Sequence, residues 1–239
     1  MVNDYLIGAF RGRKLIQRRG EIGGARSVFV KLQGIKNELV YPTFGGQIKN
    51  PFKGAAKMFA GDLCEYRTDE NGVKPEVYLL KTYEVLKLDT DTKKIHILRD
   101  NFKHIPFVGD VLGVAPDTIG GEVATSATVL AVAKAVVDGK NVWTLTMSTA
   151  LAGALQGDVL VEVGTDGKML VKNVNAVVDA DCDMLDAPAT GDSDFDGARY
   201  VYTPALGGIM YLNKMSPMPK CVKAKNISNV NGWFQVQSV

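Results

Sequence analysis

The chain has 239 residues, 46% of them hydrophobic and 23% charged, with a formal net charge of +2. That length suits one large β domain or two small ones, and the composition is that of a soluble globular protein. Three distant cysteines, Cys64, Cys182 and Cys221, argue against a disulfide framework or a paired zinc site. The longest apolar run, around Val129 to Val137, is broken by Lys134 and falls short of a bilayer span. The opening MVNDYLIGAFRGRKL lacks the order of a secretion signal, so synthesis in a cytoplasm is expected.

Charge is unevenly distributed. Residues 1–57 hold 11 basic side chains against Asp4, Glu21 and Glu38, a net +8, which leaves −6 on the remainder. Residues 1–27 set Gly8, Gly12, Gly20, Gly23 and Gly24 among arginines without an apolar period. Such a segment buries too little to offset its own ordering entropy, and it reads as an arm that orders on a partner. Its cations, Arg11, Arg13, Lys14, Arg18, Arg19 and Arg26, are the candidate anchoring residues. Near Tyr5, Phe10 and Phe29 they suit a nucleic-acid backbone; equally, they suit carboxylates on a protein lattice, where bidentate Arg geometry fixes orientation. The stretch Ser27–Val40 supplies a strand and a turn, and 41–58, rich in Gly, Pro and Lys, reads as a connector.

From residue 58 onward short β runs alternate with turns. Val77 to Leu88 is β-branched and aromatic, DTDTKK is a polar turn, and Ile95 to Leu98 follows. Asp138-Gly139 between Val136-Val137 and Val142 to Met147 is a hairpin signal, as is Thr165 to Lys168 between Val159 to Val163 and Met169 to Val171. The alanine-rich Ala124 to Ala135 fits a strand or a single helix. Gly-Asp before apolar residues occurs at 61, 109 and 157, each 48 residues apart, which reads either as a triplicated unit or as a common strand-opening device. Pro217 and Pro219 exclude a central strand, and Met215 to Pro219 is either a contact surface or a loop tucked onto the core. Trp233 to Val236 alternates like a closing strand.

The expected fold is therefore all-β: a barrel or sandwich of short strands (58–239, with a subdivision near 198) preceded by an extended basic arm and connector (1–57). Catalytic motifs are scarce, and no enzyme activity or cofactor is expected. A hydrolase would need a cleft that brings His96 or His104 against Asp and Ser partners. Asp192, Asp194, Asp196 and Gly197 match the opening of a calcium loop, but Thr203 occupies the place of the bidentate Glu and flanking helices are not evident. An EF-hand is not expected, and those aspartates remain the residues of a looser divalent-cation loop or of a solvated acidic one.

Three stretches carry a resemblance: Ala60-Gly61-Asp62-Leu63, Phe107 to Val114, and Leu155 to Val163. They resemble the turn-and-strand openings of head-fiber and head-decoration proteins of tailed phages. Asp194 to Pro204, Gly207-Gly208 and Met215 to Pro219 are similar to head-fiber proteins of crAss-like phages of gut Bacteroides. The resemblance spans about residues 58–239. It implies a non-enzymatic virion protein on the capsid exterior, a homo-oligomer (dimer or trimer) whose partners are the major capsid protein and other virion proteins, without membrane or direct nucleic-acid contact. The alternative is a β-rich adhesion or glycan-binding module using the Asp-rich loop with a divalent cation.

Overall fold

The computed structural model describes residues 14–15, 42–52, 57–89, 93–99, 104–179, 182–183, 200–206, 208–211, 216–224 and 234–237. In chain order the strands are β1 (Lys14–Leu15), β2 (Gly46–Ile48), β3 (Lys57–Met58), β4 (Leu63–Thr68), β5 (Pro75–Leu79), β6 (Thr82–Leu88), β7 (Lys94–Leu98) and β8 (Val111–Val114). They continue with β9 (Ser126–Val137), β10 (Lys140–Met147), β11 (Val159–Glu162), β12 (Ala176–Val177), β13 (Cys182–Asp183), β14 (Tyr200–Tyr202) and β15 (Gly208–Tyr211). A short helix, α1 (Lys220–Ala224), precedes β16 (Phe234–Gln237). The all-β expectation holds.

Six consecutive strands, β6 to β11, close into a barrel in the order β10-β7-β6-β11-β8-β9, every pairing antiparallel. Closure removes sheet edges wherever the strands overlap. Alternation does the rest: Tyr83, Val85, Ile95, Ile97, Leu112, Val129, Leu145, Met147 and Leu160 all point into one buried cluster. Each such Leu or Val contributes about 1.5–3 kcal/mol by leaving water. The β9–β10 hairpin turns at Asp138 (φ 51°) and Gly139 (φ 73°), as the Asp-Gly signal requires. The alanine-rich segment is strand β9 and not a helix, because Ala127 and Val129 are needed alternately by the barrel core.

The flanking sheet has the order β1-β14-β2-β5-β4-β12. It draws together residues distant in sequence, with β2 between β14 and β5. Residues 46–48, within the stretch expected to be a connector, are therefore integral to this sheet. Close approach explains Gly46: a Cβ there would lie 2.8 Å from Val77 Cγ2. Lys14 and Leu15 pair in parallel with Tyr200 and Val201, so one piece of the basic arm forms the sheet's edge. The core under this sheet contains Ile48, Phe52, Met58, Val77, Leu79, Ala176 and Tyr202. A third cluster joins sheet to barrel through Leu63, Leu80, Val161, Met169, Val174 and Val177, sealed by Met218, Cys221 and Val222. Of the two readings for the Met-Pro segment, the one tucked onto the core describes Met218.

Candidate functional site

The three Gly-Asp sites fold identically. At each, the Asp N–H closes a tight turn onto a carbonyl three residues back: Phe59 (2.9 Å), Phe107 (3.1 Å) and Leu155 (3.1 Å). The carboxylate of the same Asp accepts the N–H of that residue, at 2.7, 2.9 and 2.8 Å for Asp62, Asp110 and Asp158. The glycine needs a positive φ, and Gly61, Gly109 and Gly157 have 89°, 91° and 88°. Each glycine N–H then reaches a valine carbonyl on the neighbouring strand segment (Val178, Val129, Val85), and that valine's N–H returns to the Asp carbonyl. The interval of 48 residues thus marks one strand-opening device built three times.

The first copy gathers two further polar partners, whereas Asp158 meets the exposed Lys220 ammonium at 3.5 Å. Asp62 Oδ2 also accepts from His104 Nε2 at 2.8 Å, and the Ser216 hydroxyl donates to Asp62 Oδ1. His104 Nδ1 accepts the Thr82 N–H at 3.2 Å, which fixes the tautomer with the proton on Nε2. Phe52, Phe59 and Tyr83 enclose the imidazole, with ring centroids 4.8–6.3 Å away. His, Asp and Ser meet here, though in a different order from a hydrolytic triad. Ser216 donates to Asp62 and not to His104, whose Nδ1 is taken by the Thr82 N–H. The imidazole is 1% exposed, and the space beside it, lined by Thr82, Tyr83, Glu84, Ile97, Leu98 and Pro217, is about 10 Å³, room for one water. The cluster ties residues 59–62, 82, 104 and 216 together.

A second polar node lies where the chain passes from sheet to barrel. Lys81 Nζ is 3.1 Å from Glu162 Oε2 and 3.3 Å from the Pro51 carbonyl, and stands 5.2 Å from the Phe52 ring centroid. Asn50 donates to the same Glu162 oxygen at 2.8 Å. Its amide also accepts the Leu79 N–H (2.7 Å) and donates to the Leu79 carbonyl (2.9 Å), acting as one rung of a strand. Asn175 does the same for Tyr66, with both bonds at 2.7 Å. Neither asparagine was singled out by sequence reasoning; pairings across 29 and 109 residues leave no local signal.

His96, on β7, is hydrogen-bonded to Thr144 Oγ1 through Nδ1 (2.9 Å) and donates from Nε2 to Asp89 (3.0 Å). That hydrogen bond holds the Asp89 carboxyl below the usual carboxylate range. Burial, reinforced by Asp62, Asp179 and Glu65, pushes the Cys64 thiol well up, which suits an inert core residue. Of the anchoring candidates, Lys14 lies in β1; Arg11, Arg13, Arg18, Arg19 and Arg26 lie outside the described residues, as do Asp192, Asp194 and Asp196. Among the described residues, no His, Cys, Asp or Glu cluster is arranged to hold a metal ion. Among the same residues no helix is long and apolar enough to cross a membrane, which leaves strand-built spans unaddressed.

No family model, no curated protein and no solved structure matches the chain.

Proposed function

We propose that the chain is a structural subunit of a tailed-phage particle, a head fiber or decoration protein held on the outer surface of the capsid. The observation that carries this reading is polarity of charge: +8 over residues 1–57 against −6 over the rest. A cationic leader is suited to carboxylates of a shell, with Arg11, Arg13, Lys14, Arg18, Arg19 and Arg26 as the grip, while an acidic strand-built body faces solvent. Further support comes from how the body uses its buried polar groups. Asp62, His104, Asn50, Lys81 and Glu162 are spent on joining segments to one another, as befits a part whose task is to hold shape.

The test uses purified phage particles that lack the subunit, incubated with the full chain and imaged by electron microscopy. Replacing the six anchoring cations with Gln is expected to abolish attachment while leaving the thermal melt of the body unchanged. Substitution is preferred to deletion, since Lys14–Leu15 completes a sheet edge. Undiminished occupancy by the substituted chain overturns the reading.

A further inference from the structure

Strand β9 pairs with β8 only as far as Val129, whose N–H and carbonyl bond to Asp110 and Gly109. There the ladder to β10 slips: Met147 faces Val129 but Thr146 faces Ala131, so Leu130 is an extra, bulged residue that bends the strand away from β8. Among the described residues, β9 has a neighbour on one side only from Leu130 to Val137, a length of about 27 Å at the usual rise. Register shows which groups face outward. The Asn141 carbonyl serves Arg99 on the β7 side, so Lys140, Val142, Thr144 and Thr146 turn their backbones to β9. Their partners Val137, Ala135, Ala133 and Ala131 are therefore used, and the backbone groups of Val132, Lys134 and Val136 point outward with no strand beside them among the described residues.

Natural edges are blunted by proline or by repeated charge. This one carries no proline and a single charge, Lys134, which is drawn toward its own Trp143 ring (5.7 Å). Leu130 and Val136 stand 55% and 68% exposed on it. We infer that this edge is a self-association surface, on which β9 of a second copy of the chain pairs antiparallel across a twofold axis at Ala133. Charge selects that register. A twofold at Lys134 sets two ammonium groups directly opposite, whereas one at Ala133 sets each Lys134 against Val132 and brings Leu130 opposite Val136. A twofold pairing satisfies the same groups on both copies at once, which a foreign strand does only by coincidence of pattern. The inference stands apart from the capsid reading and survives its failure.

Sedimentation of the full chain over a dilution series is expected to give a dimer; a monomer or a trimer overturns the proposal. Leu130→Lys with Val136→Lys is expected to yield a monomer with the far-ultraviolet circular dichroism of the folded parent and a cooperative melt that no longer depends on concentration, and a persistent dimer overturns it. Ala133→Cys tests the register independently of folding changes, because opposed residues at a non-hydrogen-bonded site lie about 4.5 Å apart and fit a disulfide. Oxidised glutathione should then cross-link most of the protein into dimers, against little in the parent and in Val73→Cys, an exposed site far along the chain. Cross-linking no greater than in those controls overturns the proposal.

Discussion

The turn at Asp62 and the turns at Asp110 and Asp158 are the same object in different surroundings. All three close through the same bonds and open a strand. The two on the barrel open β8 and β11, and Asp158 adds only a long contact to the exposed Lys220. The one in the flanking sheet also receives His104 and Ser216, from segments 42 and 154 residues away. A local device is thus sufficient to start a strand, and becomes a fold-wide fastener only where tertiary structure delivers further donors to its carboxylate.

Substitution should separate these roles. Asp62→Ala leaves a buried imidazole and a hydroxyl without their acceptor as well as an open turn, and is expected to cost about 3 kcal/mol or more in urea unfolding. Asp158→Ala removes the turn bond and a largely solvated ion pair to Lys220, and should cost about 1 kcal/mol; an equal loss at Asp62 and Asp158 would erase the distinction. Between these limits lies the node at the sheet–barrel junction, where the two partners of one ion pair differ in shelter. The Lys81 side chain is 6% exposed and that of Glu162 is 20%. Glu162→Gln strands a buried ammonium and is expected to cost about 2–3 kcal/mol. Lys81→Met leaves Glu162 with Asn50 and some solvent, so a loss under about 1 kcal/mol is expected.

The smallest effect belongs to the barrel's own histidine. Asp89 has a folded-state pKa below its unfolded one, through the hydrogen bond from His96. Its contribution is complete above the ordinary Asp range and is lost as pH falls through that range and below it. Asp89→Asn should lower the neutral plateau of the stability–pH curve slightly and leave the acid end where it is, which flattens the acid limb. An unchanged acid limb would remove His96 from the account.

Local chemistry made some of this legible in sequence and topology hid the rest. Asp138-Gly139 announced its hairpin because a two-residue turn demands positive φ at both positions. Alternation announced an all-β body, yet the Ala-rich stretch stayed ambiguous because alanine suits a helix as readily as a small-residue strand. The Gly-Asp spacing was visible, but its identity of geometry lay in three valines on other strand segments. Asn50 passed as linker chemistry beside Pro51, although it completes the ladder at Leu79. His104 is visible in sequence as one of two histidines; its bonding partners Asp62 and Thr82 lie 42 and 22 residues earlier, which no spacing rule anticipates.

The chain goes into the barrel at Thr82 and comes out beside it at Val161, the two residues facing each other across β6 and β11. A cassette whose ends share one doorway is lengthened at its far turns without prising apart its host. Tension between the flanking halves likewise runs across that threshold and leaves the interior of the cassette unloaded.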